Sequence, residues 1–112
     1  MSTKGLGLEY YTALGRKDMD AVKKLLHPHI QFSDPQEKVI GRDEVLAAAE
    51  SFTKIFNALT IYTAFHSEDQ AMIVYDVSIL GLTKNLRAAS LLSFQDGLIS
   101  GIELIYDTGC FK

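Results

Sequence analysis

Apolar residues recur at helical spacing in three stretches of the first half of the chain and at strand spacing through the second half. Residues 3–15 carry Leu6, Leu8, Tyr10, Tyr11 and Leu14, a loose stripe closed by Gly15, which predicts a first helix. Asp18 reads as the N-cap of a short second helix whose apolar face is Ala21, Val22, Leu25 and Leu26 and which Pro28 stops. His29 to Ser33 is extended, Asp34-Pro35 turns the chain, and Val39-Ile40 is a further short extended piece. After Gly41, the spacing of Val45, Leu46, Ala49, Phe52, Ile55 and Phe56 predicts a third helix over residues 42–58.

The remainder reads as antiparallel sheet. Strands are expected over residues 60–67, 71–79, 86–94 and 98–106. Glu68-Asp69-Gln70 is a tight turn, residues 80–85 are a longer connection, and Gln95-Asp96-Gly97 is a strong hairpin signal. Helices first and strands afterwards predict an α+β fold with the helices on one face of a curved sheet. The strands are apolar on both faces. In the last one, Ile99 and Ile105 share one face, and Leu98, Ile102, Leu104 and Tyr106 share the other. Three short helices cover one face only, so the other is expected to pair two copies into a homodimer.

A chain of 112 residues suits a single domain, and at this length roughly two thirds of the extended-chain surface can be buried. The 47% hydrophobic and 22% charged content is a globular balance. The net charge of −3, without a basic run, argues against nucleic acid as a partner. No apolar run approaches the roughly 20 residues that span a bilayer, so no membrane role is expected. Met1-Ser2-Thr3-Lys4-Gly5 lacks the apolar centre of a signal peptide. Cys110, the single cysteine, cannot form an internal disulfide and reads as a reduced thiol. A cytoplasmic protein is the expectation.

The order of several short pieces resembles the nuclear-transport-factor-2-like, or SnoaL-like, family. The pieces are Tyr11-Thr12-Ala13-Leu14 leading to Lys17-Asp18, then Leu25-Leu26-His27-Pro28-His29-Ile30 and Ser33-Asp34-Pro35. Ile40-Gly41-Arg42-Asp43-Glu44-Val45 and Phe94-Gln95-Asp96-Gly97-Leu98-Ile99 follow. The resemblance covers nearly the whole chain. It implies a cone-shaped, curved, mixed or antiparallel sheet wrapped around three helices (cystatin-like, NTF2-like). Such a fold hosts isomerases, cyclases, dehydratases, hydrolases and simple binders.

Within that family the ketosteroid isomerase offers a residue-by-residue template. Tyr10 matches its oxyanion-holding tyrosine and Asp34 its proton-shuttling aspartate, both without a gap. Ser90 stands where the isomerase has a carboxylic acid, and a serine donates a weaker hydrogen bond in that role. The supporting tyrosine network is replaced by Leu26 and Ala49. The epoxide-hydrolysing branch is disfavoured, because Arg87-Ala88-Ala89 lacks its aspartate.

The resemblance thus implies Asp34, Tyr10 and Ser90 as catalytic groups. Tyr11, Leu86, Ala88 and Leu92 would line an apolar pocket with Ile102, Leu104 and Tyr106. The chemistry would be cofactor-free proton transfer beside a ketone carbonyl, in an isomerisation or an aldol-type cyclisation, with Asp34 as general base. The alternative is a binder of a hydrophobic, steroid- or polyketide-like molecule.

Plainer readings accompany each residue. Asp34 before Pro35 also suits a turn, with its carboxylate capping backbone N–H groups. Tyr10 also suits a helical core, and Tyr11 is an equal contender for the inward face. Asp76 is either a second pocket acid or a polar group on the outer sheet face, and Glu103 belongs to the face away from the pocket. His27 and His29 flank Pro28, but no cysteine or carboxylate cluster completes a metal site with them; His66 reads as surface.

Overall fold

A computed structural model describes residues 2–107; Cys110 lies outside the described residues. Among the described residues there are three helices, α1 (Thr3–Gly15), α2 (Met19–Leu25) and α3 (Arg42–Thr53). Six strands accompany them: β1 (Leu26–Ser33), β2 (Lys38–Ile40), β3 (Phe56–His66), β4 (Gln70–Ile79), β5 (Leu86–Gln95) and β6 (Leu98–Tyr106).

The helix starts follow from capping chemistry. The Ser2 hydroxyl accepts from the Gly5 N–H at 3.0 Å, and Asp18 Oδ1 accepts from the Ala21 N–H at 3.2 Å. Lys17, at φ 59°, turns the chain between α1 and α2. Its ammonium donates to the Phe56 carbonyl at 2.9 Å and sits 4.8 Å from the centre of the Phe56 ring. Gly41, at φ 99°, is the N-cap of α3, a conformation that L side chains rarely adopt.

The strands form one mixed, curved, unclosed sheet in the order β2-β1-β6-β5-β4-β3. Only β1 and β6 run parallel; every other neighbouring pair is antiparallel. Asp96 and Gly97, both at positive φ, close the β5–β6 hairpin between Gln95 and Leu98, as a two-residue turn of the primed type requires. The helices lie on the inner face, where Ile73, Leu92 and Ile99 are fully buried.

Two boundaries and one facing depart from the periodicity. The third helix stops at Thr53 instead of Ala58, because Phe56 is already paired with Ile79 in the β3–β4 ladder. Phe52 and Phe56 still meet, ring centres 4.8 Å apart, so apolar spacing alone does not tell helix from strand here. Leu26 is the first residue of β1 and not part of a helical face, and Pro28 sits within β1 where its register to β6 shifts between Leu26 and Gln31.

Ile99 is the third departure. It faces inward with Ile102, not outward with Ile105, because the β5–β6 register shifts between Ser93 and Phe94 and changes the alternation. On the outer face Tyr62, Phe65 and Ile105 are exposed. Asp76 is there too, so it is not a pocket acid. Its carboxylate takes two hydrogen bonds from Arg87, at 2.8 and 2.9 Å, which hold it below the usual carboxylate range. The Arg87 guanidinium in turn lies 4.0 Å from the centre of the Tyr62 ring. Glu103 is exposed on that face, as expected.

Candidate functional site

The helices do not fill the whole concavity of the sheet. Between α1, α3 and the inner face lies a largely apolar cavity of 230 Å³. Its aliphatic wall comes from β4 and β5, with Val77, Ile79, Leu86 and Ala88. Helix α3 contributes Val45, Ala48, Ala49 and Phe52, and β1 contributes Phe32. Leu104 and Tyr106 of β6 also line it, and Asp34 and Glu37 supply its carboxylates.

Tyr10 and Tyr11 both line the cavity and both are buried, so the choice between them does not arise. They are adjacent on α1, and their rings meet edge-on with centres 4.9 Å apart. Tyr11 also stacks on Tyr75, ring centres 4.5 Å apart. The Tyr11 hydroxyl donates to Ser90 Oγ at 2.5 Å, and the hydroxyls of Ser90 and Tyr75 lie 3.1 Å apart.

Burial pushes the Tyr10, Tyr11 and Tyr75 phenols up from their ordinary acidity, and the nearby Tyr75 adds to the effect on Tyr10 and Tyr11. All three are therefore neutral hydroxyls at pH 7. The Tyr10 hydroxyl has no hydrogen-bond partner among the described residues.

Asp34 combines the two roles open to it in the sequence. Its Oδ1 accepts from the Gln36 and Glu37 N–H groups, both at 2.8 Å, and its own N–H donates to the Glu37 carbonyl at 2.9 Å. That is a turn held by its side chain. The same residue lines the cavity, and Oδ2 has no hydrogen-bond partner among the described residues.

The other expected site residues divide by depth. Leu86, Ala88, Leu104 and Tyr106 reach the cavity. Ser90, Leu92 and Ile102 share the inner face but lie beyond the cavity wall, buried under α1 and its neighbours. Ser90 therefore supports two tyrosines and does not itself line the space. The described residues hold no group of three or more His, Cys, Asp or Glu side chains placed for a metal.

Tyr75 is the main residue that sequence reasoning missed. The signal was present: Ala71, Ile73, Tyr75, Val77 and Ile79 alternate strictly, and the charged Asp76 marks the opposite set as outward. The wall from α3 was missed because a helical stripe reads simply as core.

No curated protein matches the sequence. Among solved structures, a protein from Kribbella flavida has the same fold at TM-score 0.91 and 24% identity, over 98% of this chain and 90% of its own. An NTF2-like protein of unknown function from Cytophaga hutchinsonii aligns at TM-score 0.85 and 24% identity, over 100% of this chain and 96% of its own. A steroid delta-isomerase from Pseudomonas aeruginosa aligns at TM-score 0.78 and 18% identity, over 92% of this chain and 77% of its own. At such identities the likeness is one of fold. The sequence carries the further step: residues 8–102 match the SnoaL-like domain, and the chain belongs to that family.

Proposed function

We propose that the cavity takes up a small apolar ketone and that Asp34 moves a proton beside its carbonyl. One observation carries this reading. Two backbone N–H groups hold Oδ1 of Asp34, a residue that lines the cavity, and no described residue donates to Oδ2. Oδ2 would take a proton from the carbon next to the carbonyl. The negative charge that develops on the carbonyl oxygen would accept a hydrogen bond from the Tyr10 hydroxyl, which burial keeps protonated. Return of the proton to a different carbon gives an isomerisation; attack of the enolate carbon on a second carbonyl gives a cyclisation. The steroid delta-isomerase among the structural neighbours is consistent with the first outcome.

Deuterium exchange beside the carbonyl of a cyclic enone tests the proposal. Asp34→Asn keeps an oxygen to accept the two turn hydrogen bonds but loses the base, so exchange is expected to fall by about 10²-fold or more. Exchange at the wild-type rate in that variant would sink the reading.

Ser90 favours a second reading, a binder without turnover. The donor at the isomerase's third position is engaged with Tyr11 and Tyr75, away from the space a ligand would occupy. A binder would show ligand-dependent thermal stabilisation with no exchange at all.

The outer face bears on assembly in either case. Pairing of two copies there would cover Tyr62, Phe65 and Ile105. Sedimentation of the wild type as a dimer and of Phe65→Glu as a monomer would support it, and a monomeric wild type would end it.

A further inference from the structure

The depth of the cavity is set by a small group of hydroxyls. Tyr11 and Tyr75 line it, whereas Ser90, hydrogen-bonded to Tyr11 and in contact with Tyr75, is fully buried and does not. Beyond Ser90 the cone is closed. Ile73 and Leu92 are fully buried there, and α1 presses on them so tightly that a Cβ placed on Gly7 would lie 2.9 Å from Ile73 Cδ1 and 3.0 Å from Leu92 Cδ1. The stacked rings of Tyr11 and Tyr75 therefore form a floor over the packed layer of Ser90, Ile73 and Leu92.

The volume above that floor is 230 Å³. An apolar cavity of about 150 Å³ holds one benzene ring, so this one has room for about one and a half such rings. Among the described residues no lysine, arginine or histidine lines it, and its two carboxylates, Asp34 and Glu37, disfavour an anion. We infer that the Tyr11–Ser90–Tyr75 floor makes this site selective for neutral ketones of one or two rings and excludes four-ring frameworks. The inference rests on the cavity being a ligand site, as proposed above, but not on any proton transfer there. Tyr75 is accordingly a specificity-determining residue, acting through the volume of its ring, which stacking on Tyr11 and burial hold in place.

Calorimetric titration with 2-tetralone, a two-ring ketone, and with a four-ring steroid enone tests it. The wild type is expected to bind 2-tetralone at least about tenfold more tightly than the steroid, the size of discrimination that a rigid apolar pocket gives. Tyr75→Ala removes the floor and is expected to narrow that ratio by about tenfold. Tyr75→Phe keeps the ring and is expected to keep the ratio. A wild type that binds the steroid as tightly as 2-tetralone, or that binds neither, overturns the inference. So does a Tyr75→Phe variant whose ratio shifts as far as that of Tyr75→Ala. If Tyr75→Ala does not fold, the wild-type ratio still decides. Failure of deuterium exchange with a normal binding ratio would touch only the proposed reaction.

Discussion

Tyr75 and Asp76 are adjacent in β4 and anchor two polar clusters that sit back to back on the same sheet. Inside, Tyr75 joins Ser90 and Tyr11 in a buried network of neutral hydroxyls beneath the cavity. Outside, Asp76 joins Arg87 and Tyr62 in an ion pair with a cation over an aromatic face. The inner cluster has few alternative partners beyond its own members, so a lost hydrogen bond there costs more than one at the surface. The outer cluster has water and salt ions as alternatives, so its removal changes little. Strand alternation delivers both from consecutive residues, and burial decides which of them matters to stability.

Replacing inner-face bulk should do most damage. Leu92→Ala, at a fully buried position beneath α1, is expected to cost about 2–5 kcal/mol in urea unfolding. A loss well under that would mean that the inner face can collapse around the gap. Ser90→Ala comes next. It takes a shared partner from the Tyr11 and Tyr75 hydroxyls and leaves them only each other, and is expected to cost about 1–3 kcal/mol although it removes a single oxygen. A neutral result would place water among the phenols and dissolve the contrast between the two clusters.

Alkaline pH sharpens the same contrast. Below about pH 10 the phenols are protonated in the folded and the unfolded chain alike. Above it the unfolded chain releases protons that the buried tyrosines still hold, so stability falls as pH rises towards their elevated folded values. Each such tyrosine contributes about 1.4 kcal/mol per pH unit in that window. Tyr75→Phe should therefore unfold less steeply with pH than the wild type by about one proton, measured from urea midpoints. Equal slopes would mean that Tyr75 ionises in place.

The smallest effect is expected outside. Arg87→Ala should shift the urea midpoint less than Ser90→Ala does, and added salt should shrink the shift further. An Arg87→Ala loss equal to that of Ser90→Ala would show that the outer face is covered in solution.

The sequence made much of this legible, for reasons tied to particular residues. Asp18 and Asp96-Gly97 act locally, through their own side chain or their own φ, so the caps and the hairpin could be read directly. The end of α3 could not, because Phe56 is claimed by Ile79, more than twenty positions away. Ile99 was assigned to the wrong face because a register shift leaves no mark in an alternating pattern. At the cavity, Asp34 and Tyr10 could be anticipated as lining residues because family spacing points to them. The depth at which Ser90 lies, and the part Tyr75 plays above it, depend on how four strands curve, which no single segment encodes.

The order of strands also imposes an order in time. Strand β1, which leads into Asp34, joins the rest of the sheet only through β6, since its other neighbour is the three-residue edge strand β2. On a ribosome, β1 emerges long before its sheet partner β6 exists. A nascent chain that ends at the β5–β6 turn already carries Asp34, Tyr10 and Tyr75, yet the wing bearing Asp34 has no strand to dock on. The pocket can be assembled only once residues 98–106 have emerged, so any stall before that point leaves a partly open apolar cone for chaperones to shield.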